Sequence, residues 1–107
     1  MIKAEFYHDC NGLPVGFKIK GHANYSSSGS DIVCSAVSSA AYLTANTVIE
    51  IMKVEADAVV SENGEMTLKI PTESAQKTND ILLGLELHIK ELQKQYPKNV
   101  TITTTEV

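Results

Sequence analysis

The chain has 107 residues, 43% of them hydrophobic and 21% charged, which is the composition of one ordinary folded domain and too short for two independent cores. Its formal charge is −4 and it has no arginine, so the residue best suited to phosphate and guanine contacts is missing and nucleic acid is not an expected partner. No apolar run is read as a membrane span, and Met1-Ile2-Lys3-Ala4-Glu5 lacks the apolar core of a signal peptide, so no membrane partner and a cytoplasmic location are expected. In that compartment Cys10 and Cys34 are expected as free thiols rather than a structural disulfide, and neither stands in a Cys-x-x-Cys pattern that would suggest zinc.

Apolar residues alternate at Ile2, Ala4 and Phe6 and again at Val15, Phe17 and Ile19, with Asp9-Cys10-Asn11-Gly12 between the two runs. That pattern predicts a β-hairpin. Gly21 to Ser30 has two glycines, four serines and no periodicity, and reads as a loop. Ser30 or Asp31 can cap a helix, and Val33, Val37, Ala40, Leu43, Val48, Ile51 and Met52 then recur near a 3.6-residue spacing, which predicts a helix from Asp31 to about Lys53. Its first half is built of small residues, suited to close approach to a sheet.

Asn63-Gly64 between Ala56–Ser61 and Glu65–Ile70 predicts a second hairpin. Pro71 and Thr72 open a second helix in this reading, with Thr78, Leu82, Leu85, Ile89, Leu92 and Tyr96 on its apolar face. Leu83 and Leu87 widen that face beyond one sheet contact and point to a homodimer. Pro97-Lys98-Asn99 ends the helix and Val100 to Thr104 alternates as a last strand. The predicted fold is a single-domain α+β structure over residues 1–107, in the order β-β-α-β-β-α-β. Its sheet is mixed or antiparallel, and both helices pack on one face.

Two residues stand out chemically. Cys34 is expected in the first turn of the first helix, where unpaired N–H groups and the positive end of the dipole favour a thiolate and could stabilise an oxyanion. His22 lies twelve positions upstream after a strand, and an imidazole there could take the thiol proton and return it to a leaving amine. The ordinary alternatives are a small buried cysteine and a solvated loop histidine. Asp31 reads as a cap before it reads as a catalytic orienter, and Ser38 sits one turn beyond Cys34 on the same helix face. His8-Asp9-Cys10 is a rival cluster, read as turn chemistry because no helix end activates its thiol. His88 lies on the polar side of the second helix, with no partner named by the sequence.

Gly21-His22-Ala23 followed by Gly29-Ser30-Asp31-Ile32-Val33-Cys34, then Ala36 and Ser38, resembles the signature of the ribosomal-processing cysteine protease family Prp. Length and order of elements are similar along essentially the whole chain, while Ser35 departs mildly from the usual small alanine-like residue. The resemblance implies a cysteine protease with His22 as base and Cys34 as nucleophile. Asp31 and Ser38 would support them, and the loop from Gly21 to Ser30, with its glycines Gly21 and Gly29, would open for substrate. It further implies removal of the N-terminal extension of ribosomal protein L27, after a hydrophobic, aromatic-containing stretch, with no metal or organic cofactor. An acidic surface suits steering of a basic ribosomal protein. Two other readings are a noncatalytic ribosome-assembly or peptide-binding module, and a thiol enzyme of another kind, for which Cys34 alone would matter.

Overall fold

A computed structural model describes residues 1–21 and 28–107, with backbone alone for residues 28–31. The first hairpin joins β1 (Ile2–His8) to β2 (Pro14–Lys20), with Phe6 opposite Phe17 and their rings 6.4 Å apart. Asp9 closes its turn, its Oδ1 accepting hydrogen bonds from the amides of Asn11 and Leu13. The second hairpin joins β3 (Asp57–Val60) to β4 (Met66–Lys69), and Gly64 takes the positive φ of +85° that this turn needs. The last strand is β5 (Val100–Glu106).

The five strands form one mixed sheet in the order β3-β4-β2-β1-β5, in which β5 runs parallel to β1 and every other pair is antiparallel. Helices α1 (Ser28–Asn46) and α2 (Asn79–Gln95) lie on one face of it. Alternation explains the layering. Ile2, Ala4, Phe6, Phe17, Ile19, Met66 and Leu68 point to the helix side and are buried, with Val33, Val37, Ala41 and Ala45 of α1 and Leu82, Leu85, Ile89 and Leu92 of α2 closing over them. The opposite face carries Lys3, Glu5, Lys18, Lys20, Thr101 and Thr103.

Four expectations are adjusted. The first helix starts at Ser28, three residues before Asp31, so Ser28, Gly29 and Ser30 belong to a helix and not to a loop. It ends as α-helix at Asn46 and continues as a π-helical turn, Thr47–Ile51. Lys53 then adopts φ +58°, and the Lys77 ammonium donates to the Met52 carbonyl at 2.9 Å, satisfying an acceptor at the helix end. The second helix does not open at Pro71. A 3₁₀ turn at Thr72–Ser74 precedes it, and α2 begins at Asn79. Finally, Ile32–Ile51 contains an 18-residue window of mean hydropathy 1.5 and is, by length and composition alone, long and apolar enough to cross a membrane, where no such run was expected. In the fold this is the helix that supplies Val33, Val37, Ala41, Ala45 and Val48 to the core, which accounts for its apolar composition.

Candidate active site

Cys34 occupies the seventh position of α1, half-buried, with a free thiol. The earlier helix start places it in the second turn, not the first. In α-helical geometry its amide is directed to the carbonyl of Ser30, and the described amides without intrahelical partners belong to residues 28–30, one turn before the sulfur. The expected oxyanion donor at the amide of Cys34 itself is therefore committed to the helix in this conformation.

The thiol opens onto a cavity of about 200 Å³. Helix α1 forms one wall through Cys34, Val37, Ser38, Ala41 and Tyr42, residues that share a face because they recur at three- and four-residue steps. Ile2, Ile19 and Met66 of the sheet form the other wall, with Gly21 and Gly64 at its margins. A volume near that of a benzene-binding cavity, roughly 150 Å³, holds one branched or aromatic side chain. The lining is mostly aliphatic, which suits such a side chain better than a charged one.

Gly21 is fixed here by geometry. Its φ is +106°, and a Cβ at this position would stand 2.1 Å from the carbonyl oxygen of Met1. Only glycine allows β2 to turn so close beside the start of β1. The chain therefore leaves the cavity wall at Gly21 immediately before His22. His22 itself, and the loop expected around it, lie outside the described residues, as do the side chain of Asp31 and its role. Asp31 is the fourth residue of α1 and Gly29 the second, so both belong to the first turn or its edge instead of preceding the helix.

Ser38 is brought to the cavity with Cys34, as the four-residue spacing implies. Tyr42, two turns beyond Cys34, was within reach of the same spacing argument. Met66 and Gly64 were not, since only the pairing of β4 with β2 carries them there.

The rival cluster disperses. Asp9 holds the hairpin turn, Cys10 is exposed, and His8 Nε2 lies 2.8 Å from Glu86 Oε1. Glu86 is only 6% exposed and also receives Lys90 Nζ at 3.2 Å on Oε2. These three groups tie the end of β1 to the middle of α2. His88 faces a groove between the helices, with Ala40, Leu43 and Gly84 beside it. Among the described residues no three His, Cys, Asp or Glu side chains gather in a group able to hold a metal ion.

A family model described as cysteine protease Prp matches residues 1–101. The chain belongs to the Prp cysteine protease family. It is 26% identical over 109 residues to the ribosomal processing cysteine protease Prp of Bacillus subtilis (strain 168), with 97% of each protein covered. The crystal structure of SMU.848 from Streptococcus mutans superposes with a TM-score of 0.87 at 25% identity, over 100% of this chain and 96% of that one. The essential ribosomal processing protease Prp from S. aureus, in complex with a substrate peptide, superposes at 0.88 with 18% identity, over 97% and 99% of the two chains. The same protease with a covalently linked product peptide gives 0.85 at 20% identity over the same shares, and at these identities the two S. aureus structures speak for the fold. The Prp fold thus accounts for the whole five-stranded sheet and both helices, and the chain is a cysteine protease.

Proposed function

We propose that Cys34 and His22 form the catalytic dyad of this Prp protease, and that it removes the N-terminal extension of ribosomal protein L27. The observation that carries the reading is the free, half-buried thiol of Cys34 at an apolar cavity sized for one side chain, with the chain leaving that cavity's wall at Gly21, next to His22. A protease that cuts beside a hydrophobic or aromatic residue needs that pairing of a nucleophile with an apolar recess.

In this mechanism the Cys34 sulfur, deprotonated by His22, attacks the scissile carbonyl carbon. The C–N bond breaks as the imidazolium gives its proton to the departing amine. Water, activated by the same imidazole, then attacks the thioester and releases the new carboxylate, returning the proton to sulfur. Ser38 stands beside Cys34 as a supporting polar group, and Asp31 supports the first turn of α1, where an acid complements the helix dipole. The segment from Gly21 to Ser30 carries His22 and admits the peptide. Every step uses protein groups and water, with no cofactor.

The enzyme works in the cytoplasm as a homodimer in this reading. Two reduced cysteines suit that compartment, and exposed Leu43 on α1 with exposed Leu83 and Leu87 on α2 supply apolar surface that a second copy would cover. The test is mass-spectrometric cleavage of a synthetic peptide spanning the extension junction of ribosomal protein L27. A single cut by wild type, lost in both Cys34→Ala and His22→Ala, is expected. Cleavage retained by His22→Ala would remove the histidine from the dyad, and an intact peptide with wild type would refute the substrate.

A further inference from the structure

The edge strand β3 is short, and all four of its residues are exposed, with Val59 at 61% and Val60 at 50%. Exposed apolar residues on a bare sheet edge are unusual, because such an edge offers unpaired N–H and C=O groups to any extended chain.

The direction of those groups follows from the hairpin register. The amide of Ser61 donates to the carbonyl of Glu65 at 2.9 Å, so Ser61 and Glu65 belong to a hydrogen-bonded position of the ladder. Counting back along the antiparallel pairing, Val59 opposite Thr67 and Asp57 opposite Lys69 are the next such pairs. Ala58 and Val60, opposite Leu68 and Met66, therefore aim their N–H and C=O groups away from β4, toward the free edge. Their side chains share the helix-side face with Leu68 and Met66.

That face leads to the nucleophile. Val60 pairs with Met66, and Met66 pairs with Ile19, which makes one continuous apolar row across the sheet. Met66 and Ile19 both line the Cys34 cavity, and Gly64, at the tip of the same hairpin, stands at its margin. A chain lying along β3 and leaving it at Val60 meets the hairpin tip at the cavity.

We propose that the outer edge of β3 is the substrate-binding strand of this protease. The peptide pairs with the outward N–H and C=O groups of Ala58 and Val60 as a sixth strand, and lays alternate apolar side chains beside Val60 on the way to the Cys34 cavity. Main-chain pairing supplies affinity without regard to sequence, and the apolar row selects hydrophobic residues at alternate positions. This assignment rests on the cleavage reading above and names where its substrate lies.

Two measurements test it with the synthetic peptide that spans the extension junction of ribosomal protein L27. In the first, Val60→Asp places a charge on the row. KM is expected to rise about tenfold or more with kcat changed less, as for loss of an apolar contact made throughout binding. In the second, residue-resolved hydrogen exchange of Cys34→Ala, with and without peptide, is expected to slow at the amides of Ala58 and Val60 by about tenfold or more while Val59 changes little. Unchanged kinetics in Val60→Asp together with unchanged exchange at both amides overturns the proposal. Protection of these amides without peptide, growing with protein concentration, also overturns it by showing a second copy on the edge. The cleavage reading fails separately, when wild type leaves the peptide intact. Protection of Ala58 and Val60 by that peptide still decides the edge.

Discussion

The two edges of the sheet are built differently. At one, β5 pairs with β1 over all seven residues, and α2 packs over their helix-side face, where Ile2 and Val100 are buried. Gln93 of α2 donates to the carbonyl of Val100, and the outer residues of the strand are threonines with a terminal glutamate. At the other, β3 pairs with β4 over four residues and leaves Val59 and Val60 in solvent, with Val60 opposite Met66, which lines the cavity of Cys34. The first edge is protected by length, polarity and a helix. The second is short and leaves apolar side chains exposed, which is the feature on which the proposed strand-wise binding of an extended substrate rests.

The largest effect that separates the two regions is catalytic. Cys34→Ala is expected to lower the cleavage rate by about a thousandfold or more while leaving the unfolding free energy, read from urea titration, within about 0.5 kcal/mol of wild type. A large loss of stability in that variant would mean that the thiol is a packing group. On the protected side, Ile89→Ala removes a fully buried side chain from α2 and is expected to cost about 2–5 kcal/mol, read from urea unfolding. The corresponding truncation at the bare edge, Val60→Ala, should stay within about 0.5 kcal/mol. Equal costs would erase the contrast between the edges.

A smaller effect is expected from the polar groups that fasten α2 to β1. Glu86→Ala deletes the acceptor of His8 and Lys90 and should destabilise by about 1–3 kcal/mol, with no change in kcat. The smallest concerns Glu5, on the open face. Its carboxylate accepts hydrogen bonds from Thr105 of β5 at 2.7 Å and from Tyr7 at 3.0 Å, and these, with nearby Lys18 and Lys20, hold its pKa below the ordinary 4.5. A lowered carboxylate pKa stabilises the fold above pH 4.5, and that contribution is lost as the pH falls below 4.5 through the folded-state value. Wild type should therefore lose slightly more stability than Glu5→Gln across that interval, in unfolding curves recorded at successive pH values.

Much of the architecture is legible in residue order alone, because its signals are local. Period-two runs mark the strands, Asn63-Gly64 marks a turn that needs a positive φ, and the 3.6-residue recurrence after Asp31 marks the core helix. The same periodicity puts Ser38 beside Cys34. Helix ends were less legible. Ser28-Gly29-Ser30 has no apolar period to announce a helix, and the π turn at Thr47–Ile51 continues the apolar pattern while changing the hydrogen bonds beneath it. Glu86 escaped for a related reason, since a charged residue between Leu85 and Leu87 reads as solvent-facing until His8 is brought to it by the packing of α2 on the sheet.

By itself, then, the order of residues determined which segments are strands and helices, and it carried the spacing of His22 and Cys34 on which the proposed dyad rests, since backbone preference and motif spacing are properties of neighbours in the chain. Tertiary structure decided the strand order β3-β4-β2-β1-β5, and with it everything that depends on distant partners. It set Ile2, Ile19 and Met66 opposite α1 as a cavity, placed Glu86 under His8, and left β3 at an edge. Burial and pairing are shared among residues far apart in sequence, so they take definite values only once the sheet has closed under its helices.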